Sequence, residues 1–393
     1  MSLILHQVTS ALDQGDGASL IESLAVALKE GVPPAALAQT GLEWMLIESG
    51  WDLRGAQWSH AFLALEAAHE LALLRSESIG AAAVAGALVL LDGSTSTRSR
   101  PYQPALEPGI PEDLEEAVLD SDLGRAERSL SAAFFAGDFE SRWFDLALSN
   151  FEGWGHRPLM AFHSWRLQES LRAPPGWLFR AAVAHGIPWD LHRERQGSSA
   201  AGAKVTTSSD FAESILRLEG RATTERALAD GVPAALLVEG LLLSACRIFS
   251  ALPQLRQLHG VTVSRACGAA ILHHGAGAAA LVRLTGFVEE GWREALASGR
   301  VRVPQRTPVL GTPWRAKVED AEAQLVERDA TPNFGHQIKL VEACGGLDEL
   351  MDPALARLWS REVLSAALEK ATPWRRVWAS LCRHLDEDSE SPS

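Results

Sequence analysis

The chain has 393 residues, of which 47% are apolar and 22% are charged, and its formal net charge is −14 at pH 7. This length is enough for two domains, and the acidic balance argues against nucleic acid and membranes as partners, because both require a basic surface. Without the basic segment of a signal peptide at its N-terminus, the sequence predicts a soluble, cytoplasmic protein.

Helical periodicity runs through most of the chain. β-branched stretches with strict alternation are few and short. Gly31 and Gly231 each predict the end of a helix, and Pro33 and Pro233 each predict the start of the next one. An all-α fold is therefore expected. Apolar residues recur at every third or fourth position in segments 20–29, 35–48, 60–74, 210–218, 234–249 and 354–369.

Two parts of the chain resemble each other. Segment 27–37 recurs as segment 227–237, with Gly-Val-Pro at its centre in both copies. The order of the matches is kept along the chain while their spacing drifts, which indicates an internal duplication with insertions and deletions in loops. The matching histidines are His60 with His259 and His156 with His336.

The duplication predicts two tandem, pseudo-equivalent helical halves. The first half is predicted to span residues 1–195 and the second residues 210–385. Residues 196–209 are small and polar without periodicity, which is typical of a linker. Residues 386–393 form an acidic tail that we expect to be disordered.

The repeat-matched histidines His60, His156, His259 and His336 are the main candidates for chemistry, because the chain has no P-loop, dinucleotide-binding or hydrolase motif. Imidazole is a common metal ligand and the usual acid or base near neutral pH. These four are therefore predicted as catalytic residues and as metal ligands. A shared site would bring the two halves' histidines together, whereas separate sites would pair them within each half. Alternatively, each histidine caps a helix or bonds a backbone carbonyl.

Aromatic residues lie close to the histidines in the sequence and suggest a pocket for a flat organic ligand. The predicted lining residues are Trp58, Trp154, His163 and His273. The alternative is that the tryptophans fill the core, since aromatic side chains bury the largest apolar area.

Three segments resemble the questin oxidase-like family. They are His259-Gly260-Val261-Thr262, the run from Gly335 to Ala343, and Gly155-His156-Arg157-Pro158-Leu159-Met160-Ala161-Phe162-His163, which is similar to that family's histidine-proline-leucine helix with an altered order. The resemblance covers a small part of the chain. It implies an all-helical oxidase that acts on polyketide-type aromatic rings with molecular oxygen.

Two functions follow as hypotheses. The first is an oxidoreductase for a small aromatic or polyketide-type substrate, either with a histidine-bound metal such as non-haem iron or without a cofactor. The second is a non-enzymatic helical repeat protein that binds a partner protein or a small ligand, because tandem helices commonly build concave binding surfaces. The oligomeric state and the substrate stay open.

Overall fold

The protein is described by a computed structural model in which every regular element of the described residues is helical. The all-α prediction is therefore confirmed for these residues. They are residues 3–45, 56–92, 109–120, 122–137, 139–149, 151–171, 202–275, 277–301, 314–328, 330, 335–371 and 374–386.

Eighteen α-helices lie in this part of the chain. The first nine are α1 (Leu3–Gln14), α2 (Gly17–Lys29), α3 (Pro34–Glu43), α4 (Ala56–Leu74), α5 (Glu77–Asp92), α6 (Leu114–Leu119), α7 (Leu123–Ala136), α8 (Phe139–Ala147) and α9 (Glu152–Leu171). The others are α10 (Ser208–Leu216), α11 (Gly220–Ala229), α12 (Ala234–Ala251), α13 (Leu255–His274), α14 (Ala278–Ala297), α15 (Trp314–Val326), α16 (His336–Gly345), α17 (Pro353–Lys370) and α18 (Arg376–Asp386). Two short 3-10 segments are Pro111–Asp113 and Leu347–Glu349.

The two Gly-Val-Pro segments form the same helix junction. Gly31, after α2, has φ +77°, and Gly231, after α11, has φ +75°. In both, the valine that follows donates its amide to a carbonyl oxygen of the preceding helix at 2.9 Å. Pro33 and Pro233 then occupy the N-cap positions of α3 and α12. The predicted glycine stop and proline start are confirmed, because glycine tolerates the left-handed turn and proline needs no amide donor there.

The chain divides into two compact units. Unit 1 contains Met1–Gln103, Pro313–Glu342 and Ala367–Ser393, and unit 2 contains Pro104–Thr312 and Ala343–Ala366. Unit 1 therefore contains both ends of the sequence, and unit 2 is built from internal segments on both sides of residue 200.

The prediction of two tandem helical halves, 1–195 and 210–385, stays a prediction. Of the predicted linker, residues 196–201 lie outside the described residues, and the remainder leads into α10 through a capping box formed by Thr207 and Asp210. The tail is described only at Asp386, the last residue of α18.

In unit 1, α5 is the central helix and packs against α2, α3, α4, α15 and α18. Every residue from Ile79 to Leu88 is buried, so the helix has no solvent face over this stretch. Its small residues allow close packing: a Cβ added to Gly80 would lie 2.9 Å from the Cα of Ala72 on α4. The arrangement fixes α4, which carries His60.

In unit 2, α13 is the most buried helix, and it packs against α8, α9, α12 and α14. Its residues from Gln257 to Ile271 are all buried, including several polar side chains. Gln257 donates to the carbonyl oxygen of Gly291 at 3.1 Å, and Arg265 forms an ion pair with Glu349 at 3.0 Å. These partners satisfy part of the hydrogen-bonding capacity of the polar side chains buried in this helix.

Among the described helices, only α12 is long and apolar enough to cross a membrane, with a mean hydropathy of 1.7. Its residues are 72% buried within the structure. A buried core helix has the same length and composition, so this helix is weak evidence of a membrane span.

Candidate functional site

His60 and His336 face each other in unit 1. His60 lies in the first turns of α4, and His336 is the first residue of α16. Their ring centroids are 4.7 Å apart and the ring planes are inclined at 52°. Only 8% of His60 and 2% of His336 is exposed. One histidine from each half of the sequence thus enters a buried pair.

Gly335 brings His336 close to α4. It has φ +67°, in the left-handed region, and an added Cβ would lie 2.5 Å from the Cβ of Ala64. Ala64 is one helical turn beyond His60 on the same face. A side chain at Gly335 would therefore push the start of α16 away from His60, so the glycine is required by both backbone conformation and space.

Lys339 joins the histidine pair. Its Nζ lies 2.9 Å from Nδ1 of His60. Burial leaves 4% of the residue exposed and lowers the pKa of Lys339 to about 7, because the charged amine loses its hydration. Lys339 follows His336 by three positions, which places both on one side of α16. At neutral pH the amine can therefore either hold or give up a proton.

The three nitrogen groups can carry out acid–base chemistry. When Lys339 is charged, its ammonium group donates to an unprotonated Nδ1 of His60, which leaves the ring proton on Nε2. When Lys339 is neutral, its lone pair can accept a proton. A group whose pKa lies near the working pH is the most effective proton carrier.

The same groups form an incomplete metal-ligand set. In the part of the chain that the structure describes, no group of three or more His, Cys, Asp or Glu side chains could hold a metal ion. Iron and zinc sites usually use three or four protein ligands. The pair offers two imidazoles, and one nitrogen of His60 already contacts Lys339. Metal binding by the four histidines stays a prediction.

Unit 2 contains a second histidine pair with matching local geometry. His156 on α9 and His259 on α13 have ring centroids 4.7 Å apart, with the planes at 69°. Gly155, directly before His156, has φ +76°, and an added Cβ would lie 2.7 Å from a methyl carbon of Val263. Val263 is one turn beyond His259, as Ala64 is one turn beyond His60. The glycine again allows the close approach.

The polar surroundings of the second pair are different. Leu159 follows His156 by three positions, where Lys339 follows His336, and it is buried. Arg157, directly after His156, is 5% exposed, and its Nη1 and Nη2 have no hydrogen-bond partner among the described residues. Burial lowers the pKa of Arg157 to about 10, so the guanidinium stays charged at neutral pH.

Trp154 lies beside the second pair in a strained conformation. Its φ is +62°, which is rare for a bulky residue. Its ring centroid is 5.7 Å from that of His259, and 44% of the residue is exposed. The predicted pocket residue Trp154 thus lies close to His259, one of the predicted site histidines, and part of the surface of Trp154 is exposed to solvent.

The other predicted pocket residues are His163, His273 and Trp58, and their positions are as follows. His163 is buried and its Nδ1 lies 3.2 Å from Nη2 of Arg166. His273 is exposed at the end of α13, and its ring centroid is 6.5 Å from that of His274. Trp58 lies in α4, but its side chain is outside the described residues.

Sequence reasoning missed Lys339 and Arg157. The available signal was a charged residue within an apolar helical run: Lys339 stands between Ile338 and Leu340, close after a candidate histidine. It assigned His273 rather than the adjacent His274 to the pocket, and Nδ1 of His274 lies 2.7 Å from a carboxylate oxygen of Glu140. The contacts of Lys339 with His60 and of His274 with Glu140 join residues that are far apart in the sequence, so no local sequence pattern predicts them.

The histidines predicted from the sequence are therefore found as two pairs, His60 with His336 in unit 1 and His156 with His259 in unit 2. This pairing joins the two halves of the sequence in each unit. Comparisons with protein-family models, with curated proteins and with solved structures give no match for this chain.

Proposed function

We propose that the chain is an oxidoreductase-like enzyme whose chemistry begins with proton abstraction from a small aromatic or polyketide-type substrate at His60, His336 and Lys339. The observation that carries this proposal is the 2.9 Å contact between Nζ of buried Lys339 and Nδ1 of His60. A lysine is costly to bury without an acidic partner, and lysines with lowered pKa values often act as bases.

The proton step uses groups within one buried cluster. Neutral Lys339 takes the proton of a phenolic O–H, so the amine becomes an ammonium group and the substrate becomes a phenolate. The ammonium group then donates a hydrogen bond to Nδ1 of His60, and this bond holds the ammonium group in place. His336 lies against the ring of His60 and restricts its orientation. Positioned bases of this kind typically contribute about 10²- to 10⁴-fold in rate.

Molecular oxygen is the oxidant that the resemblance to the questin oxidase-like family implies. The phenolate transfers one electron to O₂, which produces a phenoxyl radical and superoxide. Their coupling forms a carbon–oxygen bond, and the ammonium proton of Lys339 moves to the peroxide oxygen. Substrate and O₂ combine into one hydroperoxide, so the step balances without an external reductant.

We further propose that the chain arose by internal duplication. The support is the matching geometry of the two histidine pairs. The ring centroids are equally far apart, a left-handed glycine directly precedes His336 in one pair and His156 in the other, and that glycine lies against the residue one turn after the other histidine of the pair. Each unit pairs a histidine of one repeat with a histidine of the other. We infer that the two repeats exchanged the helix that carries the glycine-histidine sequence, so that α16 completes unit 1 and α9 completes unit 2.

Oxygen consumption tests the proposed function. The purified chain is supplied with simple phenols and hydroxyanthraquinones in air-saturated buffer, and the rate is followed with an oxygen electrode. We expect uptake that increases as the pH rises through about 7, where Lys339 loses its proton. Lys339→Met and Lys339→Arg should both lower kcat by about 10²-fold or more, because neither side chain accepts a proton.

The matched control is Lys204→Met, which removes an exposed lysine. This variant should retain the wild-type rate. Absence of uptake by the wild-type protein with every compound would favour the non-enzymatic alternative. Equal rates for Lys339→Met and the wild-type protein would refute the role of this cluster.

A further inference from the structure

The second histidine pair lacks the base that the first one has. Leu159 occupies the position that corresponds to Lys339, so His156 and His259 have no amine at this place. The helix of His156 carries a buried positive charge on Arg157 instead. Because arginine does not release its proton near neutral pH, this charge can bind an anion but cannot act as a base.

Arg157 is the strongest indication of an anion-binding site in unit 2. Its Nη1 and Nη2 are buried and have no hydrogen-bond partner in the described part of the chain. A buried guanidinium group without a counter-charge is costly, and proteins normally pair it with a carboxylate or a comparable anion. The planar fork of N–H donors matches two oxygens of one carboxylate. A bound carboxylate would therefore satisfy both nitrogens at once.

Trp154 supplies the aromatic side of the same region. Its left-handed backbone is retained although the residue is bulky, and strained residues of this kind cluster at binding sites. Its indole centroid lies 5.7 Å from that of His259, and His259 lies edge-on to His156. Three aromatic rings thus adjoin the segment that carries Arg157, and such rings favour stacking with a flat ligand.

We propose that Trp154, His156, Arg157 and His259 form a second site in unit 2 that binds an aromatic carboxylate. Arg157 binds the carboxylate group, and Trp154 with the histidine pair contacts the ring. This site is separate from the proton-transfer cluster of unit 1, and its existence does not depend on the activity proposed there.

Calorimetric titration of the full chain tests the site. The probes are benzoate, 2-naphthoate and anthracene-2-carboxylate, with 2-naphthalenemethanol as the uncharged counterpart of 2-naphthoate. We expect at least one carboxylate to bind once per chain, and the alcohol to bind roughly tenfold or more weakly, since a charge-assisted hydrogen bond is lost.

Two variants locate the binding. Arg157→Gln introduces the residue found at the corresponding position 337 and should weaken carboxylate binding by roughly tenfold to hundredfold while leaving the alcohol unaffected. Trp154→Leu should weaken both probes. Arg300→Gln, which removes an exposed arginine of unit 2, should bind as the wild-type protein does. Binding of no carboxylate by the wild-type chain, or equal binding by Arg157→Gln, overturns the proposal.

Thermal unfolding without ligand provides an independent readout. If Arg157 awaits an anion, Arg157→Gln should keep or raise the melting temperature, because it removes a buried charge without a partner. A fall of several degrees would mean that the guanidinium group already has a stabilising partner in the folded chain, and this outcome also overturns the proposal.

Discussion

The histidine pair of unit 1 and that of unit 2 have the same ring separation and different neighbours. In unit 1 the pair contacts a lysine whose pKa lies near neutrality, whereas unit 2 has Leu159 at that position and a permanently charged Arg157 elsewhere. Both pairs depend on a left-handed glycine directly before one histidine.

The different neighbours of the two pairs show that the arrangement of the imidazoles and the chemistry beside them are set by different residues. The glycine and the residue it contacts bring two imidazoles together, and this geometry alone does not determine a reaction. The residue one turn further along the helix decides whether the pair adjoins a group that can exchange a proton. Under the two proposals, the same local backbone arrangement serves proton transfer in unit 1 and ligand binding in unit 2.

The largest expected effect comes from cutting the chain between residues 200 and 201. Each unit contains segments from both resulting fragments. We therefore expect neither fragment alone to show cooperative thermal unfolding, and co-expression of the two to restore it, because only then can each unit complete its core.

Near-ultraviolet circular dichroism and thermal unfolding would measure this outcome. The prediction of tandem halves at 1–195 and 210–385 gives the opposite expectation, since two self-contained domains would fold separately. Cooperative unfolding of either isolated fragment would show that the exchange of helices between repeats is wrong.

The next effect is the pH dependence of stability that Lys339 causes. Its pKa is about 7 in the folded chain and 10.5 as the ordinary value. Between these values the unfolded chain binds more protons, so the free energy of unfolding should increase as the pH rises from 7 to 10.5. At about 1.4 kcal/mol per pKa unit, the full change is at most about 5 kcal/mol.

Lys339→Met should remove this dependence and stabilise the protein most at and below pH 7. Urea unfolding at pH 6, 8 and 10 measures it, with Lys204→Met as the exposed control. The other buried ionisable residues described on α4 and α16 remain in both proteins; they are His60, Glu66, His69, His336, Glu342 and Cys344. A wild-type stability that is flat from pH 7 to 10 would contradict a lowered pKa for Lys339.

The two glycines should have smaller effects of similar size. Gly335→Ala and Gly155→Ala each combine a left-handed backbone with a close contact, so we expect a loss of about 2 to 4 kcal/mol. Gly31→Ala and Gly137→Ala are matched controls, since they have φ +77° and +81° and open space around the added methyl group. The controls should lose only about 1 to 2 kcal/mol.

Urea unfolding gives these four values. The excess loss over the matched control is the steric part, and it should be present in both units. If Gly335→Ala costs no more than Gly31→Ala, the close approach of α16 to α4 is not needed to hold the histidine pair.

The helices were predictable because their signals are local. The Gly-Val-Pro junctions contain both the stop and the start of a helix within a few residues, and the structure reproduces them. The Ala- and Gly-rich composition of residues 275–282 predicts a helix that begins at Gly275. Gly275 instead adopts φ +69° and ends α13, and α14 begins at Ala278. A glycine in an alanine-rich run can either continue a helix or end it, and the sequence does not distinguish the two.

The candidate site was predictable only in part. The histidines stood out because they recur, and Trp154 because it precedes one of them. The pairing of His60 with His336 depends on packing between distant segments, which periodicity cannot reveal. Lys339 was missed because a lysine in a helix is usually solvated, and its importance follows from burial, which becomes visible only in the folded chain.

The smallest expected effect is that of added metal. Two imidazoles make a weak site, and a site that is about half filled stabilises a protein by less than ~1 kcal/mol. We therefore expect Zn²⁺, or Fe²⁺ without oxygen, to change the melting temperature little.

His336→Gln and His156→Gln each disrupt one pair and should respond to metal as the wild-type chain does. In unit 1, protonated Lys339 adds a repulsive charge beside His60, which should weaken binding further below pH 7. A rise of several degrees that His336→Gln abolishes would show that the unit 1 pair recruits further ligands, and it would favour metal chemistry over proton transfer by Lys339.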